Sequence, residues 1–109
     1  MSAQMKVLVR SWGTLRTRLG WPEWPLEVET GTTVRDVLQQ APGIPVGGRL
    51  TGNDGDTLYE IMTRNDSVRV DKWLCLNGRI QTDRAGILNK ALSDGDELLV
   101  MEATLSAGG

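Results

Sequence analysis

The chain contains no histidine and a single cysteine, Cys75. Histidine is the usual general base near neutral pH, and histidine and cysteine are the usual zinc ligands. Their scarcity disfavours a Ser/His or Cys/His nucleophile and an imidazole or thiolate metal site. A lone cysteine also excludes an internal disulfide, as is typical of a reducing compartment. We therefore predict a protein that is not an enzyme, has no metal or cofactor of its own, and enters chemistry as a substrate or carrier.

Long apolar runs, basic blocks and nucleotide-binding motifs are missing as well. No stretch approaches the roughly 18 apolar residues that span a bilayer, and residues 1–4 lack the charge of a signal peptide. The 12 Lys and Arg nearly balance the 14 Asp and Glu, and the glycine-rich residues 43–55 do not match a P-loop. We therefore expect a cytosolic protein that binds neither membranes nor nucleic acids.

The length of 109 residues predicts a single domain, which buries somewhat more than about 60% of its unfolded surface. Alternating apolar and polar residues predict a first strand over Met5–Arg10 and a second over Leu26–Glu29. Trp21–Pro25 should interrupt the chain between them, because proline cannot donate to a strand ladder. The connection that we predict is a long hairpin.

One main helix is predicted to end at Pro42-Gly43. Its apolar residues have the i, i+3, i+4, i+7 spacing of one helix face. Thr32 or Thr33 is placed to cap its N-terminus, and Asp36 lies in its first turn, where a negative charge is favourable. The apolar face consists of Val34, Val37, Leu38 and Ala41.

The rest of the chain is predicted to hold an irregular insertion, residues 44–71, and further strands. The insertion contains a glycine-rich loop and a short helix near residue 60. Asn77-Gly78 is a strong tight-turn signal, and Ser93–Asp96 forms a turn before the final strand, Glu97–Met101. Together these elements predict an α+β fold with the helix on one face of a sheet. The third strand carries Val68, Val70, Leu74 and Leu76 on one face.

The sequence ends in Gly108-Gly109, after a segment, residues 102–109, that we predict to be a flexible tail. Glycine has no Cβ, so consecutive glycines can enter a channel too narrow for side chains. Six extended residues reach roughly 20 Å at about 3.3–3.6 Å each. A terminal carboxylate is a poor electrophile and reacts only after activation, typically by ATP to an acyl-adenylate. A terminus without a function is the alternative.

Four segments carry a family resemblance: Lys6–Arg10, Gly31–Leu38, Leu76–Ile80, and Leu92–Leu98 with the following residues to Gly109. They cover well over half of the chain. In this order they resemble the β-grasp sulfur carriers, namely the small subunit of molybdopterin synthase and the sulfur carrier of thiamine thiazole synthesis, which are relatives of ubiquitin. The resemblance implies a ubiquitin-like β-grasp domain with a mixed sheet.

The resemblance also implies a function for the last two glycines. An E1-like enzyme would adenylate the carboxylate of Gly109, and sulfur would then replace the adenylate. The resulting thiocarboxylate would donate its sulfur. Gly108 would keep the chain narrow where it enters the partner's active site. The partners implied are the E1-like enzyme and the large subunit of molybdopterin synthase or another sulfur-accepting synthase. Residues 44–71 are longer than these carriers usually need, and the tail lacks the proline often found before the glycines in the molybdopterin branch. A thiamine-type carrier is therefore an alternative.

Two other classes of function remain open from the sequence. A ubiquitin-like modifier would use the activated Gly109 to form isopeptide bonds with lysines of other proteins. A β-grasp binding module would recognise partners through tryptophans and would not need the terminal glycines. The tryptophans in question are Trp21, Trp24 and Trp73.

The predicted partner contacts are Trp73, Arg79 and Leu105. Trp73 shares a strand face with Cys75, opposite Leu74 and Leu76, so it should lie on the outer side of the sheet, either exposed to a partner or covered by residues 44–71. Cys75 is more typical of a small buried hydrophobe than of a sulfur relay.

Overall fold

The computed structural model describes residues 3–43 and 57–102. The strands in this part of the chain are β1 (Gln4–Ser11), β2 (Glu23–Glu29), β3 (Thr63–Arg64), β4 (Ser67–Val68), β5 (Lys72–Leu76), β6 (Arg79–Ile80) and β7 (Glu97–Glu102). Five of them form one mixed sheet in the order β2-β1-β7-β5-β6, in which β1 and β7 are parallel and the other neighbours antiparallel. β3 and β4 form a separate hairpin.

Short helices complete the fold: α1 (Gly13–Leu19), α2 (Val34–Gln40), α3 (Leu58–Met62) and a 3-10 helix at Gly86–Asn89. The buried residues of α2 pack with those of the central strands in one apolar core. The predicted α+β fold, a mixed sheet with one main helix on one face, is therefore confirmed. None of the described helices is long and apolar enough to cross a membrane. The side chains shielded most completely include Val9, Val34, Val37, Leu38, Leu98 and Val100.

The main helix, α2, begins where the sequence predicts. Thr33 is its N-cap, and its hydroxyl accepts a hydrogen bond from the Asp36 backbone N–H while the Asp36 carboxylate accepts one from the Thr33 N–H. This reciprocal capping box satisfies backbone donors that have no partner within the helix. The helix ends at Gln40, just before Pro42.

The predicted long hairpin between the first two strands is confirmed by their antiparallel pairing, but the prediction lacks α1, the helix that lies in the connection. Leu15 and Leu19 are one helical turn apart and are both buried, so this helix is held by packing against the core. Its C-cap, Gly20, has φ 85°, a left-handed conformation that favours glycine. The sequence-based prediction missed α1 because two apolar positions and no capping side chain leave little local pattern.

The predicted interruption at Trp21–Pro25 is wrong in part, since β2 already begins at Glu23. Pro25 lies within β2 and faces Leu8 of β1 in the register. β2 is an edge strand of the sheet, and an edge strand tolerates a proline because one side of its ladder is unpaired. Trp21 is buried, and its ring centroid lies 5.9 Å from that of the half-exposed Trp24.

The third predicted strand is divided in two by a turn at Val70, whose side chain is 86% exposed. The Lys72 N–H donates to the Arg69 carbonyl across this turn, and the Arg84 guanidinium donates to the carbonyls of both residues. These hydrogen bonds bend a segment whose apolar alternation would otherwise predict one continuous strand. Within the predicted insertion, residues 44–56 lie outside the described residues, and the remainder forms α3 and the β3-β4 hairpin.

The predicted Asn77-Gly78 turn joins β5 to β6, with φ of 50° at Asn77 and 84° at Gly78. Asn77 also bonds to the residues before the last strand: its amide NH₂ donates to the Asp96 carboxylate at 2.9 Å, and its side-chain oxygen accepts from the Glu97 N–H at 2.8 Å. One side chain therefore fixes the turn after β5 against the start of β7.

Candidate functional site

The predicted sulfur-carrying residues, Gly108 and Gly109, and the predicted partner contact Leu105 lie outside the described residues, which end at Glu102. The structure places Trp73 in β5 and Arg79 in β6. Among residues 3–43 and 57–102, no three histidine, cysteine, aspartate or glutamate side chains come together as a metal site. The described part of the chain closest in sequence to Gly109 is the end of β7.

β7 leads directly to residues 103–109, and it lies in the middle of the sheet between β1 and β5. Its last residue, Glu102, pairs with Lys72 of β5, although the sequence analysis counted Glu102 as part of the flexible tail. β7 is paired with both neighbours as far as Val100, and Met101 and Glu102 pair with β5 alone.

Glu102 is the centre of a cluster of four side chains that we call the β7-end cluster: Thr14, Arg18, Lys72 and Glu102. The Thr14 hydroxyl donates to Glu102 Oε1 at 3.0 Å, and Arg18 Nη1 donates to Oε2 at 2.5 Å. Lys72 Nζ lies 3.3 Å from the same Oε2 and 3.0 Å from a carboxylate oxygen of Asp71. The Glu102 and Lys72 side chains are only 12% and 7% exposed, whereas that of Arg18 is half exposed.

The environment of Glu102 keeps its carboxylate ionised. Burial is the largest single influence and raises the pKa of Glu102, but hydrogen bonds from Arg18, Thr14 and Lys72 together outweigh it, so the pKa lies below its usual value. A carboxylate that accepts several hydrogen bonds, and whose pKa is lowered by them, stays ionised at neutral pH. The cluster is therefore a persistent ionic contact between α1, β5 and the end of β7.

The outer face of the sheet, the face opposite the core, carries both apolar and charged residues. The register of the strands places Leu99 between Arg10 of β1 and Cys75 of β5, and Cys75 beside Ile80 of β6. Ile80 is 53% exposed. The outer face consists of Leu8, Arg10, Trp73, Cys75, Ile80, Glu97, Leu99 and Met101.

Trp73 lies on this outer face, as the alternation along β5 predicts, and its cross-strand neighbour is Met101. It is half-buried, and the Arg84 guanidinium carbon lies 5.1 Å from its ring centroid, a cation–π contact. Cys75 is buried, and burial raises the pKa of its thiol. A protonated, buried thiol is a weak nucleophile, which favours the structural interpretation of Cys75.

Arg79 pairs with Leu76 in the register, so it belongs to the opposite face from Trp73 and Ile80. It is exposed on the short edge strand β6, and its guanidinium makes no hydrogen bond or ion pair with the described part of the chain. The structure therefore does not join Trp73 and Arg79 into one surface.

A cleft of about 470 Å³ opens beside the outer face, where the start of α1 meets the sheet. Trp12 is 62% exposed there, a larger fraction than that of any other large apolar side chain in the described residues except Val70. Arg10 lies 3.9 Å from Glu97, and the Arg16 guanidinium has no hydrogen-bonding or ionic partner among the described residues. The residues that shape the cleft include Arg10, Trp12, Arg16, Gly78, Glu97 and Leu99.

Neither the cleft nor the β7-end cluster is predicted from the sequence. Thr14 and Arg18 lie 88 and 84 residues from Glu102 along the chain, so no local motif links them. The sequence does contain one sign of α1: Leu15 and Leu19 are four residues apart and Gly20 follows them, as in a helix that ends at a glycine. Recognising that helix would have placed Trp12 and Arg16 on one side of it.

The arrangement of the sheet defines the class of fold. Parallel first and last strands in the middle of a mixed sheet, with one main helix packed on a single face, form a ubiquitin-like β-grasp domain. Comparison with protein-family models and with curated protein sequences gives no match.

Solved structures with the same fold include small archaeal proteins. The Haloferax volcanii protein HVO 2177 aligns with a TM-score of 0.65 and 21% identity, over 95% of this chain and 88% of that one. Subunit 1 of a putative molybdopterin converting factor from Pyrococcus furiosus aligns with a TM-score of 0.60 and 20% identity, over 92% of this chain and 99% of that one. Small archaeal modifier protein 1 from Methanosarcina acetivorans aligns with a TM-score of 0.58 and 22% identity, over 98% of this chain and 99% of that one. These likenesses confirm the predicted β-grasp fold.

Proposed function

We propose that this chain is a sulfur carrier that acts through the carboxylate of Gly109. An E1-like enzyme adenylates the carboxylate: one of its oxygens attacks the α-phosphorus of ATP, and pyrophosphate leaves. Hydrogen sulfide then attacks the acyl carbon, AMP leaves with the bridging oxygen, and a proton is released, which gives a thiocarboxylate. The thiocarboxylate donates its sulfur in molybdopterin biosynthesis, and the chain supplies no catalytic group of its own.

The observation that carries this proposal is the position of β7. This central strand is paired on both edges as far as Val100, and its last two residues pair with β5. The β7-end cluster then holds Glu102 directly before residues 103–109. Seven residues reach roughly 23–25 Å when extended, at about 3.3–3.6 Å each. A rigid domain that leads into a short segment ending in two glycines suits delivery of a carboxylate into a partner's active site.

The fold of the compared structures supports the same class. One of them is a subunit of a putative molybdopterin converting factor, and another is a small archaeal modifier protein. Both are small proteins that the chain matches over nearly their whole length, so no additional domain is needed for a carrier role. The E1-like enzyme and the large subunit of a molybdopterin synthase are the partners that we propose for the chain.

We further propose that these partners contact the outer face and the adjoining cleft. The exposed Trp12 and Ile80 offer apolar area, and Arg16 offers a cation without a partner among the described residues. Tryptophan and arginine are the residues most often found at the energetic centres of interfaces. Trp73, Arg79 and Leu105 remain proposed contacts, with Trp73 the one that shares the outer face.

The test is the intact mass of the purified chain after incubation with a candidate E1-like enzyme, Mg-ATP and sulfide. We expect a mass increase equal to the replacement of one oxygen by sulfur. The shift should vanish when Gly109 is deleted and should persist in Gln39→Ala, a control at an exposed position of α2. Absence of the shift with every activating enzyme tried would reject the carrier proposal.

Protein modification is a second candidate function, favoured by the fold shared with small archaeal modifier protein 1. The same activated Gly109 would then form isopeptide bonds with lysines of other proteins. Peptide mass spectrometry of cell extracts distinguishes the two uses, since a modifier leaves its C-terminal residues attached to target lysines. A thiocarboxylate without such adducts indicates a carrier, and its transfer to a pterin or to a thiazole precursor identifies the branch.

A further inference from the structure

The helix α1 directs its side chains toward three different parts of the molecule. Leu15 and Leu19 are buried in the core. Trp12, at the N-cap, and Arg16 line the cleft. Thr14 and Arg18 donate hydrogen bonds to Glu102. Each pair is separated by four residues, the spacing that places two side chains on the same side of a helix.

The start of α1 is also attached to β7 through the backbone. Ser11, the last residue of β1, pairs with Val100, and the Trp12 N–H donates to the Val100 carbonyl at 3.2 Å. The end of α1 is attached through Arg18, whose guanidinium reaches Glu102 two residues further along β7. The helix is therefore fixed to the last strand at both of its ends and cannot shift independently of it.

We propose that α1 fixes Glu102, the residue from which the tail leaves the domain, relative to an activating enzyme seated in the cleft, with Thr14 and Arg18 as positioning residues. This inference rests on the proposed function, because it concerns how the tail reaches an activating enzyme. The partner contacts one side of α1 at Trp12 and Arg16, and the opposite contacts of the same helix hold Glu102. One short helix thus connects the surface that docks with the point at which the tail leaves the domain.

The nature of the β7-end cluster supports a positioning role. The contacts of Thr14 and Arg18 lie at the exposed side of the cluster, where an ion pair contributes only about 0–1 kcal/mol to stability. Seven residues follow Glu102, and the volume that their end can reach depends on where Glu102 is held. The contacts of α1 with Glu102 should therefore affect the delivery of Gly109 more than they affect folding.

The experiment compares steady-state adenylation of matched variants of the full chain. The double variant Thr14→Val, Arg18→Ala removes the contacts of α1 with Glu102 and keeps the Lys72 contact. We expect kcat to fall about 2- to 10-fold with KM unchanged, because the tail then starts from a less restricted point. Arg16→Ala, an arginine in the same helical turn, should instead raise KM, because it lines the cleft. Thr17→Ala, an exposed residue of α1, serves as the neutral control.

Further measurements separate positioning from loss of fold. The variants should keep the circular dichroism spectrum of the wild type, and Arg18→Lys, which preserves a cation, should recover most of kcat. Hydrogen exchange of the Met101 and Glu102 amides needs no activating enzyme and should be faster in the double variant. Unchanged exchange, or an unchanged kcat, would overturn the inference. Failure of the proposed function itself would look different, because no enzyme would then activate the wild-type chain.

Discussion

Replacing Glu102 by glutamine tests the energetic role of the β7-end cluster. The substitution keeps the shape of the side chain but removes the charge that three donors share, and the new NH₂ group faces donors instead of acceptors. Breaking a buried ion pair costs about 3–5 kcal/mol, and losing one charged hydrogen bond about 1.5–3 kcal/mol. Arg18 is half exposed and Lys72 retains Asp71, so we expect a loss of about 2–3 kcal/mol.

The assay is thermal unfolding followed by circular dichroism. At pH 7 we expect Tm to fall by roughly 10 °C, since about 1 kcal/mol corresponds to about 4–8 °C in a domain of this size. The matched control is Glu97→Gln, whose carboxylate is half exposed and 3.9 Å from Arg10. Exposed ion pairs of this kind contribute about 0–1 kcal/mol, so Tm of the control should stay near that of the wild type.

The pH dependence of the stability difference between wild type and Glu102→Gln tests whether the charge of Glu102 is its cause. Because the folded state lowers the pKa of Glu102, its ionised form stabilises the fold above the unfolded pKa of about 4.3, and this stabilisation is lost as the pH falls through the folded pKa. Protonated glutamate resembles glutamine, so the difference between wild type and Glu102→Gln should be constant from about pH 6 to 8 and shrink below about pH 4. A difference that persists unchanged at acid pH would refute the reasoning.

Three further predictions concern the core, the main helix and the thiol. Leu98→Ala should lower the free energy of unfolding by about 2–5 kcal/mol in urea titrations, because Leu98 is fully buried in the central strand. Thr33→Ala should cost about 1 kcal/mol in the same titrations by removing the capping hydroxyl, whereas Gln39→Ala, exposed on the same helix, should cost under about 0.5 kcal/mol. Cys75 should react slowly with Ellman's reagent in the folded protein and rapidly in denaturant, because burial keeps it protonated; rapid reaction of the native chain would contradict its buried position.

The parts of the fold that the sequence predicts are those encoded by neighbouring residues. The α2 pattern combines an apolar face with the Thr33 cap, and the Asn77-Gly78 turn needs only its own two residues. By contrast, α1 has two apolar positions and no capping side chain, so its stability comes from the core against which Leu15 packs.

The same distinction separates the predicted functional residues from those that only the structure reveals. Gly108 and Gly109 can be proposed from the sequence alone, because the chemistry proposed for them depends on their place at its end. The turn at Val70 depends on Arg84, and the β7-end cluster joins Thr14 and Arg18 to Glu102 across more than 80 residues. Long-range contacts of this kind have no spacing that a sequence pattern can report.

The central place of β7 has a consequence for the order of events during synthesis. β1 and β5 have no direct pairing with each other and meet only through β7, so the five-stranded sheet cannot close before the residues up to Glu102 have left the ribosome. A nascent chain that stops earlier leaves the apolar edge of β1 open. A folded domain is thus itself a sign that translation has passed residue 102.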